Sequence, residues 1–489
     1  MDPPGHTVFP GHMEQRTELP LPAPSHWIDG RAVPASGSLI DVVNPATDTV
    51  FAAIPEGSAE DVDLAVEAAT RAFPGWSSTS PEDRVAVLER VVEELRLHAE
   101  TLASTITAEM GAPISFSRAA QAGFPPLSAA AAIETAQRFS WSEEVGNTLI
   151  VREPIGVVGA ITPWNFPLQQ LVTKVVPALL AGNTVVLKPS EIAPVSAQLF
   201  AVVATAAGLP AGVLNVVHGT GPVVGEAISR HPGIDMVSFT GSTAAGRLVS
   251  AAASGTVKRV ALELGGKAAH IVLPDADLDD AVTRGLAFAW SNAGQACGAW
   301  TRMLVPADLQ EQVVEKLRAA SADYTVGDPA DESTRVGPLA SEAQRERVDA
   351  YIRRGVADGA TLVVGGPGRP EGFGTGAYVR PTVFADVDPG SVIAQEEIFG
   401  PVLVVIPYTD EDHAVEIANG TVYGLSAAVT GDREHAVEIA GRLRVGLVHV
   451  NDAHHNFQAP FGGYKQSGNG REMGRAGLEE FLETKAITR

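Results

Sequence analysis

The sequence predicts an α/β protein in which a doubly wound parallel sheet is followed by a second α/β unit. Three observations support this prediction. Short, wholly apolar runs recur along the chain, and each is followed by a segment whose apolar residues have helical spacing. Glycine is frequent, with 49 residues, as tight turns between strands and helices require. The 489 residues also exceed what one hydrophobic core usually organises, so more than one domain is expected.

The first set of apolar runs predicts a nucleotide-binding sheet. Strands that are apolar throughout and alternate with amphipathic helices are typical of a parallel sheet covered on both faces. The runs in this region are 155–161, 184–187, 213–217 and 236–239. Ahead of them, the apolar residues of 61–73 and 81–110 recur at helical spacing, which predicts surface helices packed on the sheet.

The same alternation resumes downstream and predicts the second α/β unit. Its apolar runs are 303–305, 402–406 and 445–450, with a helix expected from about 307 to 322 and a terminal strand within 479–488. Residues 1 to about 26 contain six prolines, so this segment is predicted to be an irregular arm without chemistry.

Composition excludes several classes of function. Fifty-eight acidic residues against 35 basic ones give a net charge of −23, which would repel nucleic acid and anionic membrane surfaces. One cysteine rules out an intramolecular disulfide and fits a reducing compartment, so a cytoplasmic location is expected, with no export signal at the N-terminus. The uncharged stretch 200–217 is broken by 208–212, which indicates helix, turn and strand rather than a membrane span.

The single cysteine is the leading catalytic candidate. Cys297 ends the run GQAC, thirty-four residues after Glu263, which begins ELGGK. A thiol with a carboxylate and flexible glycines at this distance suggests covalent catalysis with a general base. The alternative is a buried cysteine that serves only as a small hydrophobe.

Turns after the predicted strands carry further candidates, because ligands of parallel sheets bind at the carboxyl ends of the strands. TPWNFP contains Asn165, whose amide can donate to a developing oxyanion, or can be an ordinary turn residue. KPSE offers Lys188 and Glu191. A carboxylate there can accept from ribose hydroxyls and would repel a 2′-phosphate, which favours NAD over NADP, although a solvated ion pair would look identical.

Two glycine-containing turns are candidate phosphate sites. The turn 218–225, with Gly221 and Gly225, has neither the position nor the spacing of a dinucleotide fingerprint and receives a supporting role only. In FTGST, Ser242 is predicted at a helix N-terminus, where N–H groups and the helix dipole favour phosphate. Simple N-capping is the alternative.

Taken in order, TPWNFP, KPSE, FTGST, ELGGK and GQAC resemble the motifs of the aldehyde dehydrogenase superfamily. EEIFGP from Glu396 and PFGGYKQSGNGRE from Pro460 agree with it, and the resemblance extends from about residue 27 to the C-terminus. It implies that Cys297 is the nucleophile, Glu263 the general base and Asn165 the oxyanion donor. It leaves the role of Lys174 open.

The resemblance also implies an NAD site, with NADP possible, and no metal. Lys188 and Glu191 would hold the adenosine ribose, Ser242 the pyrophosphate, and Glu397 with Phe399 the nicotinamide ribose and ring. The full set of expected cofactor contacts is Thr162, Pro163, Trp164, Lys188, Glu191, Gly221, Gly225, Phe239, Gly241, Ser242, Gly246, Leu264, Glu397 and Phe399.

By the same analogy, the aromatic and small residues expected along the substrate channel suggest an apolar or aromatic aldehyde. These residues are Trp164, Gln170, Met110, Trp290, Ala296, Gly298 and Phe457. Two alternatives remain. One is an NADP-preferring semialdehyde dehydrogenase in which Lys188 accepts the 2′-phosphate, and the other is a catalytically silent NAD-binding scaffold.

The expected chemistry follows from the residue types. A free thiol has a pKa of about 8.5, so Cys297 needs either nearby dipoles that lower its pKa or a base such as Glu263. The thiohemiacetal formed with an aldehyde would be oxidised to a thioester, and Glu263 would activate water to hydrolyse it. Because family members that use coenzyme A commonly lack this acid, a free carboxylic acid is the expected product.

The resemblance further implies a division into domains and assembly as a homodimer or homotetramer. The proposed division is a proline-rich arm at 1–26, a dinucleotide-binding domain at 27–132 and 153–262, a catalytic domain at 263–452, and an oligomerisation flap at 133–152 and 472–489. Exposed strand edges on the flap would explain the assembly, because an edge needs a partner.

Overall fold

A computed structural model describes residues 23–34 and 37–489 of the chain. Most of the predicted arm at 1–26 therefore lies outside the described residues. The strands, in chain order, are β1 (Ser25–Ile28), β2 (Arg31–Pro34), β3 (Leu39–Asn44), β4 (Thr49–Pro55), β5 (Ser142–Val145), β6 (Thr148–Pro154), β7 (Val157–Ile161), β8 (Thr184–Lys188), β9 (Leu214–Val216), β10 (Met236–Thr240), β11 (Arg259–Glu263), β12 (Ala269–Val272), β13 (Arg302–Pro306), β14 (Thr361–Val364), β15 (Thr382–Ala385), β16 (Val402–Tyr408), β17 (Ser426–Thr430), β18 (Leu447–Val450), β19 (Gly468–Asn469) and β20 (Leu482–Thr488).

The helices surround these strands. They are α1 (Ala59–Ser77), α2 (Pro81–Leu97), α3 (Ala99–Met110), α4 (Ile114–Phe116), α5 (Phe124–Gln137), α6 (Pro167–Leu180), α7 (Val195–Ala206), α8 (Glu226–Arg230), α9 (Thr243–Ala253), α10 (Leu278–Trp290), α11 (Gln310–Ser321), α12 (Glu342–Ala357), α13 (Val392–Gln395), α14 (Glu411–Asn419), α15 (Arg433–Gly441) and α16 (Gly474–Glu479). Two π-helical turns occupy Ser117–Gln121 and Gly221–Gly225, and 3₁₀ turns occupy Ser254–Thr256, Ser291–Gly294 and Lys465–Ser467.

Local sequence signals explain where the N-terminal helices begin and end. Ser58 and Asp61 form a reciprocal capping box at the start of α1, and Ser80 caps α2 ahead of a proline at its first position. The segment 81–110, where helical spacing predicted surface helices, is divided into α2 and α3 at His98, whose ψ of 14° departs from helical geometry. Gly111 ends α3 in a left-handed conformation with a φ of 81°.

The first sheet has eight strands in the order β19-β11-β10-β7-β8-β9-β1-β2, and the five from β11 to β9 are parallel. From β7 the chain builds outward through β8 and β9, then returns to the other side of β7 through β10 and β11. A crevice forms at the carboxyl ends of the strands where the order reverses, and ligands of open parallel sheets bind there. The predicted doubly wound sheet is confirmed, and the stretch 200–217 is helix α7, a turn and strand β9, as expected.

The second sheet has seven strands in the order β14-β15-β16-β13-β12-β17-β18, parallel except at β14. Its central strands are buried on both faces by helices, which explains their near-continuous apolar sequence. The second α/β unit predicted from the sequence is therefore confirmed.

A small antiparallel sheet has the order β20-β6-β5, and β20 pairs along its whole length with β6. The hairpin of this sheet starts at Ser142, because residues 133–137 belong to helix α5. Within the part of the chain that the structure describes, no helix is both long and apolar enough to cross a bilayer.

The C-terminal part of the chain returns to the first sheet after completing the second. Strand β19 pairs antiparallel with β11. Beside it, Ser467 accepts the backbone N–H of Leu264 at 2.9 Å, and its hydroxyl donates to the carbonyl of Gly265 at 2.7 Å. These two hydrogen bonds hold the ELGGK turn in place against the C-terminal segment.

Candidate active site

Cys297 lies in a tight turn that follows α10. Asn292 and Ala293 both have a φ of 53°, and Gly294 has a φ of 72°. A Cβ at Gly294 would lie 2.1 Å from the carbonyl oxygen of Gly400, so this position requires glycine. Cys297 as a residue is partly exposed, so it is not sealed in an apolar interior. A nucleophile that must meet a substrate needs such access.

The surroundings of Cys297 disfavour a thiolate. Burial, followed by the charges of Glu397, Glu263 and Glu472, raises the pKa of the Cys297 thiol to about 12, while the backbone N–H of Gly298 acts in the opposite direction. The sequence left two routes to a reactive thiol, namely dipoles that lower the pKa of Cys297 or a base that takes its proton. The protein alone does not provide the first route. Activation by a base is the route that the structure supports.

Glu263 is the last residue of β11 and is buried. Neither carboxylate oxygen has a hydrogen-bond partner among the described residues. Burial first, and then the charge of Glu472, raises the pKa of Glu263 well above its usual range, while Lys174 and Arg471 lower it. An unpaired buried carboxylate costs folding free energy, and such a group is typical of a catalytic acid or base.

A buried ion pair lies beside this carboxylate. Lys174 on α6 contacts Glu472 with 2.5 Å between Nζ and Oε1, and both side chains are buried. The charges of both residues act on Glu263. Lys174, whose role the sequence left open, is therefore a determinant of the Glu263 pKa. Sequence reasoning assigned no role to Glu472, because the contact spans 298 positions of the chain.

Asn165 lies in the turn after β7 and is buried. Its Nδ2 donates to the backbone carbonyl of Gln295 at 3.0 Å. An amide nitrogen carries two N–H groups, so one orients the side chain and the second remains for a substrate oxygen. The predicted oxyanion donor and the turn of Cys297 are thus directly joined.

Two further amides hold Asn165. Asn292 Nδ2 donates to the Asn165 carbonyl at 2.8 Å, and Gln121 Nε2 donates to the same oxygen at 2.9 Å. Gln121 ends the π-helical turn at 117–121. Helical periodicity could not identify it, because a π-helical turn departs from the spacing of an α-helix.

Lys188 and Glu191 follow β8 at the edge of the crevice. Lys188 Nζ donates to Pro189 O at 2.9 Å and to Glu191 Oε2 at 3.1 Å. Burial lowers the pKa of Lys188, and Glu191 opposes that shift. The backbone of Thr162 joins this edge through its N–H, which donates to the Lys188 carbonyl at 3.0 Å.

Ser242 is exposed at the N-terminus of α9, and its hydroxyl oxygen accepts the Ala245 N–H at 3.2 Å. Ser242 therefore caps the helix, which was the alternative to a phosphate site. The glycines around it permit close packing. A Cβ at Gly246 would lie 2.6 Å from Leu264, and one at Gly241 would lie 2.5 Å from the ring of Phe239. The other expected glycines, Gly221 and Gly225, bound the second π-helical turn.

Glu397 and Phe399 lie against the ELGGK turn. Gly266 N–H donates to Glu397 Oε1 at 3.0 Å, and burial raises the pKa of Glu397 to about 7. Phe399 has a φ of 62° and meets the ring of Trp164 edge to face, with 5.4 Å between centroids. Pro163 precedes this tryptophan in the same turn. The structure therefore brings the predicted nicotinamide contacts from distant segments together.

Most expected channel residues lie near the site. Met110 is buried with its Sδ 3.4 Å from Gln121 Nε2, and Gln170 bonds through its N–H to the turn of Asn165. The neighbours of Cys297, Ala296 and Gly298, are partly exposed.

Two expected channel residues have different surroundings. Phe457 lines a small cavity with Thr173 and meets Phe124 edge to face at 5.6 Å. Trp290 is only 2 % exposed and packs edge to face on Tyr324 in the core of the second sheet. The assignment of Trp290 to the channel is therefore wrong. It is a core residue, because α10 turns this face onto the sheet.

The crevice suits a dinucleotide by the chemistry of its donors and acceptors. Carboxylates at Glu191 and Glu397 match ribose hydroxyls, and the N-terminus of α9 matches a phosphate. Half-buried aromatic rings at Trp164 and Phe399 match a planar base.

The fold is that of a dinucleotide-binding dehydrogenase with a second α/β domain. More particularly, the chain belongs to the aldehyde dehydrogenase family, whose model matches residues 32–487. It is 51% identical to the 3-succinoylsemialdehyde-pyridine dehydrogenase of a Pseudomonas species, over 94% of this chain and 97% of that protein.

Solved structures agree with this membership. A mutant of aldehyde dehydrogenase C from Pseudomonas syringae, in complex with NAD⁺ and octanal, has a TM-score of 0.94 and 52% identity, covering 95% of this chain and 96% of that one. The aldehyde dehydrogenase of Mycobacterium tuberculosis complexed with NAD⁺ has a TM-score of 0.93 and 41% identity, covering 96% and 98%. The expectations of fold and enzyme class are confirmed.

Proposed function

We propose that this aldehyde dehydrogenase oxidises an apolar aldehyde to the free acid with NAD, using Cys297 as nucleophile, Glu263 as base and Asn165 as oxyanion donor. The observation that carries the proposal is the buried carboxylate of Glu263, which has no hydrogen-bond partner among the described residues, together with the partial exposure of Cys297. A raised pKa makes such a carboxylate a competent proton acceptor near neutral pH.

The first half of the reaction acylates the enzyme. Cys297 gives its proton to Glu263 as Sγ bonds to the aldehyde carbon, and the second N–H of Asn165 donates to the oxygen that gains charge. NAD, when bound, supplies the hydride acceptor for the oxidation. Cys297 is left as a thioester, and the pairing of Asn165 with Gln295 keeps the amide in place throughout.

The second half releases the product. Glu263, deprotonated again, takes a proton from water, and the oxygen of that water adds to the thioester carbon. The Cys297–carbon bond then breaks, and the sulfur takes back the proton that Glu263 received from water, so it leaves as the thiol. The sum of the two halves is aldehyde, water and NAD⁺ giving carboxylic acid, NADH and a proton.

Preference for NAD follows from the Lys188–Glu191 pair. Lys188 already has Glu191 and the Pro189 carbonyl as partners, and the carboxylate repels a second phosphate. The complexes of the Pseudomonas syringae and Mycobacterium tuberculosis enzymes with NAD⁺ support this choice.

An apolar substrate is supported by the half-buried ring of Trp164 at the site and by the octanal bound to the Pseudomonas syringae enzyme. The Pseudomonas relative named for a semialdehyde of pyridine supports the competing semialdehyde reading. A panel of octanal, benzaldehyde and succinic semialdehyde with NAD and with NADP, followed by NADH or NADPH absorbance, decides between them. Turnover that is fastest with succinic semialdehyde and NADP would overturn the proposal.

The silent-scaffold alternative needs a different control. Cys297→Ala should abolish turnover while NAD binding, measured by fluorescence titration, persists. If the wild-type protein binds NAD but oxidises no aldehyde in the panel, the hypothesis of a catalytically silent scaffold replaces that of an active enzyme.

We also infer that the chain forms a homodimer or homotetramer in the cytoplasm through the flap. The edge strands β5 and β20 expose Val145 at 57% and Ile487 at 44%, and strand edges with exposed apolar residues favour pairing with a second copy. Light scattering of the wild type and of Ile487→Lys tests this assembly. A monomeric wild type would contradict it.

A further inference from the structure

A set of hydrogen-bonded, buried amides surrounds the junction between Asn165 and the turn of Cys297. It comprises Gln121, Asn165, Asn292 and Gln295, and all four are buried. Asn165 and Asn292 both donate to the Gln295 carbonyl, at 3.0 and 3.3 Å, and Gln295 Nε2 returns a bond to the Asn292 carbonyl at 3.1 Å. The turn is therefore held by side chains as well as by its own backbone.

Gln121 is the member that enters from outside this turn. Its Nε2 donates to Asn165 O at 2.9 Å and faces Asn292 Oδ1 at 3.3 Å and Met110 Sδ at 3.4 Å. A backbone carbonyl only accepts, so the nitrogen of the Gln121 amide must face Asn165. The orientation of the Gln121 side chain is thus fixed by its partners.

The local backbone is also unusual at this point. Gln121 ends a π-helical turn, where the Ala122 N–H bonds to the carbonyl of Ser117 five positions earlier. Such turns occur frequently at functional sites and shift the direction of the side chains that follow. Here the turn directs an amide toward the carbonyl of the oxyanion donor.

We propose that Gln121 is a positioning residue, which sets the backbone of Asn165 so that its free N–H points at the substrate oxygen. The inference rests on the proposed function, in which Asn165 stabilises that oxygen. Gln121 itself touches neither the thiol nor the reacting carbon. Its effect passes through Asn165, and a double-mutant cycle detects this dependence.

The experiment uses Gln121→Met, which keeps the length of the side chain and removes both N–H donors. Stopped-flow NADH formation is measured with octanal in Gln121→Met, Asn165→Ala and the double variant. Misplacement of a catalytic group by a small distance costs up to about 100-fold, so a loss of about 10- to 100-fold in kcat/KM is expected for Gln121→Met alone. The loss should lie in kcat, with the KM for NAD unchanged.

The double variant carries the decisive comparison. In the Asn165→Ala background, Gln121→Met should produce almost no further loss, because the group it positions is gone. An equal loss in both backgrounds, or no loss in either, overturns the proposal. Gln121→Leu, which also removes both N–H donors and keeps an apolar side chain of similar bulk, should behave like Gln121→Met and keeps the test available if one variant folds poorly.

Two controls separate positioning from general destabilisation. Gln198→Met makes the same substitution at a buried glutamine on α7 that bonds to His218 at 2.9 Å, and it should leave kcat unchanged even if the melting temperature falls. Turnover by the wild type and its loss in Cys297→Ala are established first. Failure of those two measurements rejects the proposed function, whereas failure of the Gln121 comparison rejects only the positioning role.

Discussion

Asn165 donates one side-chain N–H to the backbone carbonyl of Gln295 across 3.0 Å. The first residue follows β7 in the nucleotide-binding sheet, and the second lies two positions before the nucleophile, on the approach to the second sheet. This bond, together with the one that Asn292 donates to the Asn165 carbonyl, sets the distance from the oxyanion donor to the thiol. Geometry of this kind is prepared before substrate arrives, which is why such donors act strongly on the transition state.

Removal of the Asn165 side-chain amide should slow the chemical step. Asn165→Ala is expected to lower kcat by about 100- to 1000-fold, as for the loss of one oxyanion donor in other enzymes. NAD affinity should stay constant, and a fluorescence titration checks that. A variant whose kcat equals that of the wild type would show that another group stabilises the oxygen.

Glu263→Gln should slow both halves of the reaction. The amide accepts a proton neither from Cys297 nor from the hydrolytic water, so the single-turnover rate of NADH formation and the steady-state kcat should both fall by about 100- to 10,000-fold. Stopped-flow absorbance measures the first rate, and quench-flow with mass spectrometry follows the acyl group on Cys297. A variant in which either rate equals that of the wild type would contradict the role of Glu263 in that half.

The pH dependence of hydrolysis should follow the pKa of Glu263. Only the deprotonated carboxylate accepts a proton, so the rate should rise with pH through the raised pKa of Glu263. Lys174 lowers this pKa, so Lys174→Met should move the rise to higher pH. Lys316→Met, which removes a half-buried lysine paired with Asp279 away from the site, should leave the profile unchanged. A profile identical in all three proteins would contradict the coupling.

The free thiol should react slowly with alkylating agents at neutral pH. Burial and three carboxylates raise the pKa of Cys297 to about 12, so the thiolate fraction grows with pH across the whole neutral and alkaline range. The rate of iodoacetamide labelling of the cofactor-free enzyme should rise without a plateau. Glu397→Gln removes one of the carboxylates and should accelerate labelling at a fixed neutral pH. A plateau near neutral pH in the wild type would contradict the raised pKa.

The cofactor preference should depend on Glu191. Glu191→Gln removes the charge that repels a 2′-phosphate and leaves Lys188 without its carboxylate partner. The ratio of kcat/KM for NADP over NAD should rise about tenfold, equivalent to about 1.4 kcal/mol. Glu226→Gln, at an exposed carboxylate paired with Arg230, is the matched control and should leave the ratio unchanged. An unaltered ratio in Glu191→Gln would place the cofactor discrimination elsewhere.

Seven strands of the two large sheets were predicted from the sequence, because each is short, mainly apolar and bounded by turn residues: β7, β8, β9, β10, β13, β16 and β18. The sequence did not predict the parallel strands β11, β12, β15 and β17. It predicted one helical region at 81–110 where there are two helices, since the break at His98 leaves the apolar spacing intact. It placed Trp290 in a channel by analogy, whereas only the packing of α10 shows which way that ring faces. Gln121 and Glu472 contact segments that are distant in the sequence. Contacts of this kind produce no local sequence pattern, so neither residue was predicted.

The pairing of β19 with β11 has a consequence for biosynthesis. Ser467, Glu472 and strand β20 support groups that lie 200 or more residues earlier in the chain. A growing polypeptide that already contains Cys297 therefore still lacks part of the carboxylate environment around Glu263. Catalytic competence should emerge only once residues 467–488 have been synthesised, and a chain terminated just before Ser467 should form the cofactor crevice without the chemistry.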